Sequence, residues 1–252
     1  MNQPCLTLFL AAVSITLAPF PATHAADNPR LAEVRARVEP ALREKLAKSG
    51  IPYGAPTFIR IFKEEKTLEL WIQPEPGARY KRFHRYPIAT WGRGTIGPKL
   101  REGDGQAPEG FYQVSASAMN PNSSFHLSFN LGFPNRYDRH HRRTGTHLMV
   151  HGDQVSVGCY AMTDPQIEEI YLLVDAAHRS GQRHVPVHCF PFNITQQKLA
   201  TPGIRNSPWL PFWRNLKTGY DHFERVGSPP STSLDPRTGS YRFSTPSTRP
   251  RG

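Results

Sequence analysis

Apolar residues recur at helical spacing in one segment near the start of the chain. Five of them lie three or four positions apart: Leu31, Val34, Val38, Leu42 and Leu46. That spacing places them on one face of a helix, and Gly50 favours a helix end directly after them. The pattern predicts one amphipathic helix over residues 28–49 that packs on the rest of the protein.

The middle of the chain changes to alternating apolar and polar positions, which is typical of strands. Residues 57–73 alternate on both sides of a polar turn at residues 63–66, and this predicts a β-hairpin. Further strands are predicted over residues 80–90, 111–114, 125–129, 146–150 and 185–192. Many short strands with abundant glycine and proline favour a mostly β fold with helical additions.

Two later segments return to helical spacing. Thr163 can cap a helix over residues 164–178, and Pro165 suits an early helical position. A second helix with aromatic anchors is predicted over residues 209–223. From Gly227 the chain is rich in proline, serine, threonine and arginine, and we therefore expect residues 227–252 to form a flexible tail.

The first 25 residues have no charged side chain and contain a mainly apolar run from Leu6 to Leu17. Small residues around Ala25 suit a signal peptidase, so residues 1–25 are predicted to be a cleaved export signal. A retained membrane anchor is the weaker alternative, because spanning a bilayer takes about 20 apolar residues.

A net charge of +11 bears on partners rather than on the fold. The basic residues are scattered and no nucleic-acid recognition motif is present, so we do not expect nucleic acid as a partner. For an exported protein the acidic partners are lipid headgroups and the carboxylates of cell-wall peptides. A well-solvated surface with no partner is the alternative.

Three cysteines are present, and Cys5 lies in the predicted signal. We expect Cys159 and Cys189 to be free thiols, although an oxidising compartment also permits a disulfide between them. Cys189 lies in an apolar, strand-like run, where cysteine usually behaves as a small hydrophobic residue.

The strongest functional signal lies in residues 147–164, where an apolar run is followed by a polar turn. Its small and reactive residues are His151, Gly152, Ser156, Gly158 and Cys159. A cysteine nucleophile needs a base or a positive charge to form a thiolate near neutral pH. The turn can bring His151 beside Cys159 and so supply that base.

Two further groups complete this hypothesis. Either a backbone carbonyl near Gly152 or the carboxylate of Asp153 would orient the imidazole of His151. Backbone N–H groups around Cys159 would hold an oxyanion, and Gly158 would let the backbone approach a substrate carbonyl. The alternative is an inert, buried cysteine beside a core histidine.

A metal site is a weaker interpretation of the same segment. His147, His151 and Cys159 are potential zinc ligands, but side chains four positions apart on a strand are about 13 Å apart, too far for one ion. The basic cluster at residues 140–143 is either a solvated loop or, through His141 and Arg143, a site for a substrate carboxylate.

The segment resembles the L,D-transpeptidase catalytic-domain (YkuD-fold) superfamily, in which His-Gly precedes Ser-x-Gly-Cys. The resemblance covers about residues 57–192 and includes Gly97-Pro98-Lys99, Gly103-Asp104-Gly105 and Phe133-Pro134-Asn135. It implies a β-sandwich-like domain without cofactor or metal, in which Cys159 is the nucleophile and His151 the proton donor and acceptor. Gly152, Ser156 and Gly158 would support them, and Tyr160 is a candidate substrate contact.

One departure is informative, because typical members have a histidine before Gly-Cys and an arginine two residues after it. Here these positions are Val157 and Ala161. The segment is instead similar to the YafK/DpaA-like branch, which is associated with detaching outer-membrane lipoprotein from the diaminopimelate of peptidoglycan. The resemblance implies a periplasmic peptidoglycan amide hydrolase. The alternatives are a transpeptidase that forms crosslinks or lipoprotein links, and a non-enzymatic wall-binding module.

The expected organisation of the chain follows from these observations. Residues 1–25 are the signal, residues 26–56 the N-terminal helix and linker, and residues 57–192 the catalytic domain. Residues 193–226 form an aromatic helical extension, and the tail follows.

Overall fold

A computed structural model describes residues 28–245, so the predicted export signal lies outside the described residues. This range contains six α-helices and twelve strands. The helices are α1 (Pro29–Lys48), α2 (Arg136–His140), α3 (Asp164–Arg179), α4 (Gln196–Ala200), α5 (Pro202–Arg205) and α6 (Leu210–Val226). The strands are β1 (Thr57–Phe62), β2 (Thr67–Ile72), β3 (Lys81–Pro87), β4 (Thr90–Trp91), β5 (Gly110–Ser115), β6 (Met119–Asn120), β7 (Ser128–Asn130), β8 (Met149–His151), β9 (Tyr160–Ala161), β10 (His184–Phe190), β11 (Ser231–Leu234) and β12 (Tyr241–Ser244).

Two five-stranded sheets form the centre of the molecule. One has the order β3-β2-β1-β10-β5, and the other has the order β4-β9-β8-β7-β6. The larger of two hydrophobic clusters contains residues of both sheets, among them Ile59 and Val187 from the first and Phe129 and Val150 from the second. The predicted mostly β fold with helical additions is confirmed.

The three long helices agree with their predicted positions. Asn28 caps α1, since its side-chain oxygen accepts a hydrogen bond from the Leu31 N–H at 3.0 Å. Helix α1 packs on α3, and the ion pair between Arg35 and Asp175 at 2.9 Å joins them. Helix α6 ends at Gly227, whose φ of 75° suits glycine. No helix within residues 28–245 has the length and apolar character needed to cross a bilayer.

Two predicted strands begin later than their apolar patterns do. The range 125–129 gives β7 from Ser128, and the range 146–150 gives β8 from Met149. In each case a histidine with left-handed backbone comes first, His126 with φ of 65° and His147 with φ of 54°. A left-handed residue cannot continue a strand, so pairing starts only after it.

Lys63, the first residue of the predicted polar turn, is not exposed to solvent. It is fully buried, and its ammonium donates to Glu109 Oε1 at 2.9 Å and to the Gly97 carbonyl at 2.7 Å. Glu109 also accepts from the indole N–H of Trp213 at 2.9 Å. Because a buried ion pair needs complete hydrogen bonding, this network holds the loop over residues 92–107 against both β1 and α6.

The prediction of a flexible tail is wrong over residues 231–244. Strands β11 and β12 pair there as an antiparallel hairpin. Tyr241 is buried, stacks on Tyr137 at 4.4 Å between ring centroids, and accepts a hydrogen bond from Asn135 Nδ2 at 2.9 Å. The composition of the segment is polar, but its few aromatic residues complete a core built by α2 and α6. Residues 246–252 lie outside the described range.

Candidate active site

Strands β8 and β9 bring the two predicted catalytic residues to one cleft. They pair in parallel, Val150 with Tyr160 and His151 with Ala161. Val150 and Tyr160 are fully buried in the core, and side chains alternate along a strand. His151 follows Val150 in the chain, and Cys159 precedes Tyr160. Both His151 and Cys159 line a cleft of about 400 Å³.

The imidazole of His151 is held in one tautomer. Its Nδ1 lies 2.6 Å from the carbonyl oxygen of Gly152, and its ring packs against Phe125 at 4.6 Å between centroids. A carbonyl oxygen only accepts, so Nδ1 carries the proton and Nε2 keeps a free lone pair. Burial lowers the pKa of His151, which keeps the ring neutral and basic at Nε2. Of the two predicted orienting groups, the structure shows the carbonyl.

Gly152 is required by the space around it. A Cβ at this position would overlap the Asp164 carboxylate and would lie 3.1 Å from Ile167 Cγ2. The Gly152 N–H donates to the carbonyls of Phe125 and Leu127 at 3.1 and 3.2 Å. The first turn of α3 therefore packs closely on Gly152, whose carbonyl orients His151.

Hydrogen bonds within the loop between His151 and Cys159, and one to the start of α3, fix its conformation. Asp153 has a φ of 64°, and its N–H donates to the Asp164 carboxylate at 2.9 Å. The hydroxyl of Ser156 donates to the Cys159 carbonyl at 2.7 Å and accepts from the Gly158 N–H at 3.1 Å. Ser156 thus shapes the turn that presents Cys159.

The thiol of Cys159 contacts backbone groups on β8 and the residues before it. It accepts from the Met149 N–H and donates to the His147 carbonyl, both at 3.4 Å. Burial raises the pKa of Cys159, while the Met149 N–H and the charge of Lys99 lower it by less. These shifts favour a thiol at Cys159 and a neutral imidazole at His151.

Cys189 has a different environment. Both Cys159 and Cys189 are free thiols, as expected. Cys189 is fully buried in β10, and burial raises the pKa of its thiol. It has the environment of a structural cysteine.

Three candidate substrate contacts are corrected by the structure. Tyr160 is fully buried, and its hydroxyl donates to the Pro108 carbonyl at 2.5 Å. Arg143 is buried and pairs with Asp138 at 3.0 Å. His141 donates to the Gly239 carbonyl at 3.0 Å and does not line the cleft. An aromatic or charged residue near a motif looks available in sequence, but here each is committed to packing or pairing in the fold.

The zinc interpretation has no geometric support in the described part of the chain. No group of three or more His, Cys, Asp or Glu side chains in residues 28–245 is placed to hold a metal ion. His147 is exposed, whereas His151 is buried and hydrogen-bonded to backbone.

Two residues of the cleft were missed by the motif analysis. Phe125 covers the ring of His151, and Lys99 lines the cleft from the loop over residues 92–107. Lys99 belongs to the Gly-Pro-Lys segment that carries the family resemblance, which is the signal that could have marked it.

A family model, described as the L,D-transpeptidase catalytic domain (YkuD), matches residues 56–189. The chain belongs to the L,D-transpeptidase catalytic domain family. The family protein YafK of Escherichia coli K12 is 42% identical over 193 residues, which cover 77% of this chain and 76% of YafK. The protein is therefore a peptidoglycan-acting enzyme of the L,D-transpeptidase family.

Solved structures also match, at low sequence identity. The helical cell shape determining protein Pgp2 from Campylobacter jejuni is 15% identical with a TM-score of 0.42, over 76% of this chain and 79% of that chain. Bd1075 of Bdellovibrio bacteriovorus is 17% identical with a TM-score of 0.37, over 67% of this chain and 58% of that chain.

Proposed function

We propose that this L,D-transpeptidase-family protein is an exported, cysteine-dependent hydrolase of amide bonds in peptidoglycan, with Cys159 as nucleophile and His151 as base. One observation carries the assignment. The hydrogen bond between His151 Nδ1 and the Gly152 carbonyl leaves Nε2 as the acceptor in the cleft that also contains Cys159.

The reaction proceeds through a thioester. His151 Nε2 takes the proton of the Cys159 thiol as sulfur attacks the amide carbonyl, and backbone N–H groups near Cys159 stabilise the oxyanion. The C–N bond then breaks, and His151 returns the proton to the leaving amine. In the second half, His151 takes a proton from water, the hydroxide attacks the thioester, and Cys159 is released as a thiol with a free carboxylic acid as product.

The uncharged residues at positions 157 and 161, on either side of Cys159, favour hydrolysis over transfer to an amine. Val157 is 86% exposed and apolar, and Ala161 is fully buried. Neither supplies the charge that the typical crosslinking members place at these positions. The substrate we propose is the diaminopimelate of peptidoglycan linked to an outer-membrane lipoprotein, and the site of action is the periplasm. The similarity to YafK supports placing this protein in the YafK/DpaA-like branch of the family.

The two cysteines provide a matched test of the nucleophile. Cys159→Ala should abolish release of lipoprotein from purified sacculi. Cys189→Ala should keep most of it, at a stability cost of about 1 kcal/mol for the small buried cavity. The measurement is soluble lipoprotein released per unit time. Release by Cys159→Ala at the wild-type rate would end the assignment of Cys159 as nucleophile.

A further inference from the structure

In the part of the chain that the structure describes, the cleft beside Cys159 is lined by one lysine and no arginine. Lys99 is the only lysine or arginine among its lining residues, and Glu102 is the only carboxylate. Arg143, the cation that the sequence offered for a substrate carboxylate, pairs with Asp138 and does not line this cleft. Lys99 is therefore the cation that a negatively charged substrate meets in the cleft.

The ammonium of Lys99 is held in place by two acceptors. It donates to Asp104 Oδ1 at 2.9 Å and to the Arg101 carbonyl at 3.0 Å. Asp104 is itself fixed by three backbone N–H groups, those of Leu100, Arg101 and Gln106, at 2.7 to 3.0 Å. An ammonium has three N–H donors, so one donor of Lys99 remains for a ligand.

The surrounding backbone leaves room for this lysine. Lys99 is only 4% exposed, and a Cβ on Gly145 would lie 2.5 Å from its Cε. Gly145 has a φ of 148°, a conformation that other residues rarely adopt. Holding a lysine in a mostly buried position beside the cleft has a desolvation cost, which is consistent with a functional use of its charge.

Lys99 also affects the Cys159 thiol. Its positive charge lowers the pKa of the Cys159 thiol, against the larger opposite effect of burial. Lys99 and Cys159 line the same cleft, so a substrate bound at the sulfur also faces Lys99.

We propose that Lys99 binds a carboxylate on the acyl part of the substrate and selects acyl groups that carry one. The inference rests on the proposed hydrolase function and names the group that the site recognises. Diaminopimelate fits, because one of its carboxyl groups forms the scissile amide and its second carboxylate stays free.

The test compares two muropeptides that keep the lipoprotein remnant on one diaminopimelate carboxyl and whose second carboxylate is either free or amidated. Wild-type protein should cleave the free form with a kcat/KM about 10- to 100-fold higher, the range expected for one charged hydrogen bond, mostly through KM. Lys99→Met should remove this preference. Lys48→Met, at a 74% exposed lysine on α1, should keep it. Thermal unfolding checks that each variant is folded.

Two results overturn the proposal: equal kcat/KM for both muropeptides with wild-type protein, or a full preference in Lys99→Met. The first needs no variant, so it decides even if Lys99→Met does not fold. If wild-type protein cleaves neither muropeptide, the hydrolase function fails, and binding is measured as protection of Cys159 from iodoacetamide. Stronger protection by the free carboxylate, lost in Lys99→Met, still supports carboxylate recognition. Equal protection by the two muropeptides contradicts it.

Discussion

At the scale of single residues, the site depends on small groups placed beside one histidine and one cysteine. The motif in the sequence marks His151 and Cys159 as candidates because they and the glycines around them are close in sequence, and the structure places both in one cleft. The motif does not identify Lys99 or Phe125, since both reach the cleft from distant loops. Nor does it show that Arg143 and Tyr160 are committed to Asp138 and Pro108, because these contacts exist only in the folded chain.

The two glycines of the motif should respond differently to alanine. Gly152→Ala places a Cβ against Asp164 and Ile167, and should reduce the free energy of unfolding by about 1–3 kcal/mol. A Cβ at Gly158 meets only ordinary contacts, at 3.4 Å from the Gln106 carbonyl oxygen and 3.5 Å from Leu148. Gly158→Ala should therefore keep its stability within about 0.5 kcal/mol.

Gly158→Ala should instead lower activity by about 10- to 100-fold, because the methyl group displaces the substrate carbonyl from the thiol. Urea unfolding and lipoprotein release measure the two effects. A destabilised Gly158→Ala protein, or a fully active one, would contradict the role of Gly158 in substrate approach.

The pKa shifts of His151 and Cys159 predict how turnover and thiol alkylation depend on pH. Burial lowers the pKa of His151 below its ordinary 6.5 and raises the pKa of Cys159 above its ordinary 9.0. Turnover should therefore fall only below pH 6.5, where His151 becomes protonated. Alkylation of Cys159 by iodoacetamide should keep rising through pH 9, without a plateau near neutrality. A neutral plateau that His151→Ala removes would reveal a preformed thiolate–imidazolium pair instead.

At the scale of elements, periodicity predicts the long helices and the first hairpin well. Their apolar residues repeat over many positions, and Thr163 marks the start of α3 as predicted. Short strands are less predictable. The starts of β7 and β8 depend on the left-handed backbone of His126 and His147, which their apolar patterns do not show. The tertiary contacts of Tyr241 stabilise the β11–β12 hairpin. A single tyrosine in a polar segment is too little to predict a hairpin from the sequence.

Tyr241 tests how much that hairpin contributes to the fold. Tyr241→Ala removes the stacking on Tyr137 and the hydroxyl that Asn135 contacts, and should reduce the free energy of unfolding by about 3 kcal/mol. The control is Arg237→Ala, at an exposed position in the turn of the same hairpin. Urea unfolding of both variants is the measurement. Equal stability of Tyr241→Ala and wild type would mean that the hairpin does not support the core.

At the scale of the whole molecule, the two sheets and α3 combine to build one cleft. Sheet pairing sets Cys159 beside β8, the start of α3 presses on Gly152, and the buried pair of Lys63 and Glu109 fixes the loop that carries Lys99. Family membership defines the enzyme class and the polymer on which it acts. The proposal adds that water, rather than an amine, resolves the thioester on Cys159.

The most direct test digests lipoprotein-bearing sacculi in water enriched in heavy oxygen and analyses the muropeptides by mass spectrometry. The account predicts that each diaminopimelate carboxyl freed of its lipoprotein remnant gains one heavy oxygen atom. No new crosslinks between diaminopimelate residues should appear, and Cys159→Ala should give neither product. New diaminopimelate crosslinks that require Cys159 and contain no heavy oxygen would contradict the hydrolase and establish a transpeptidase.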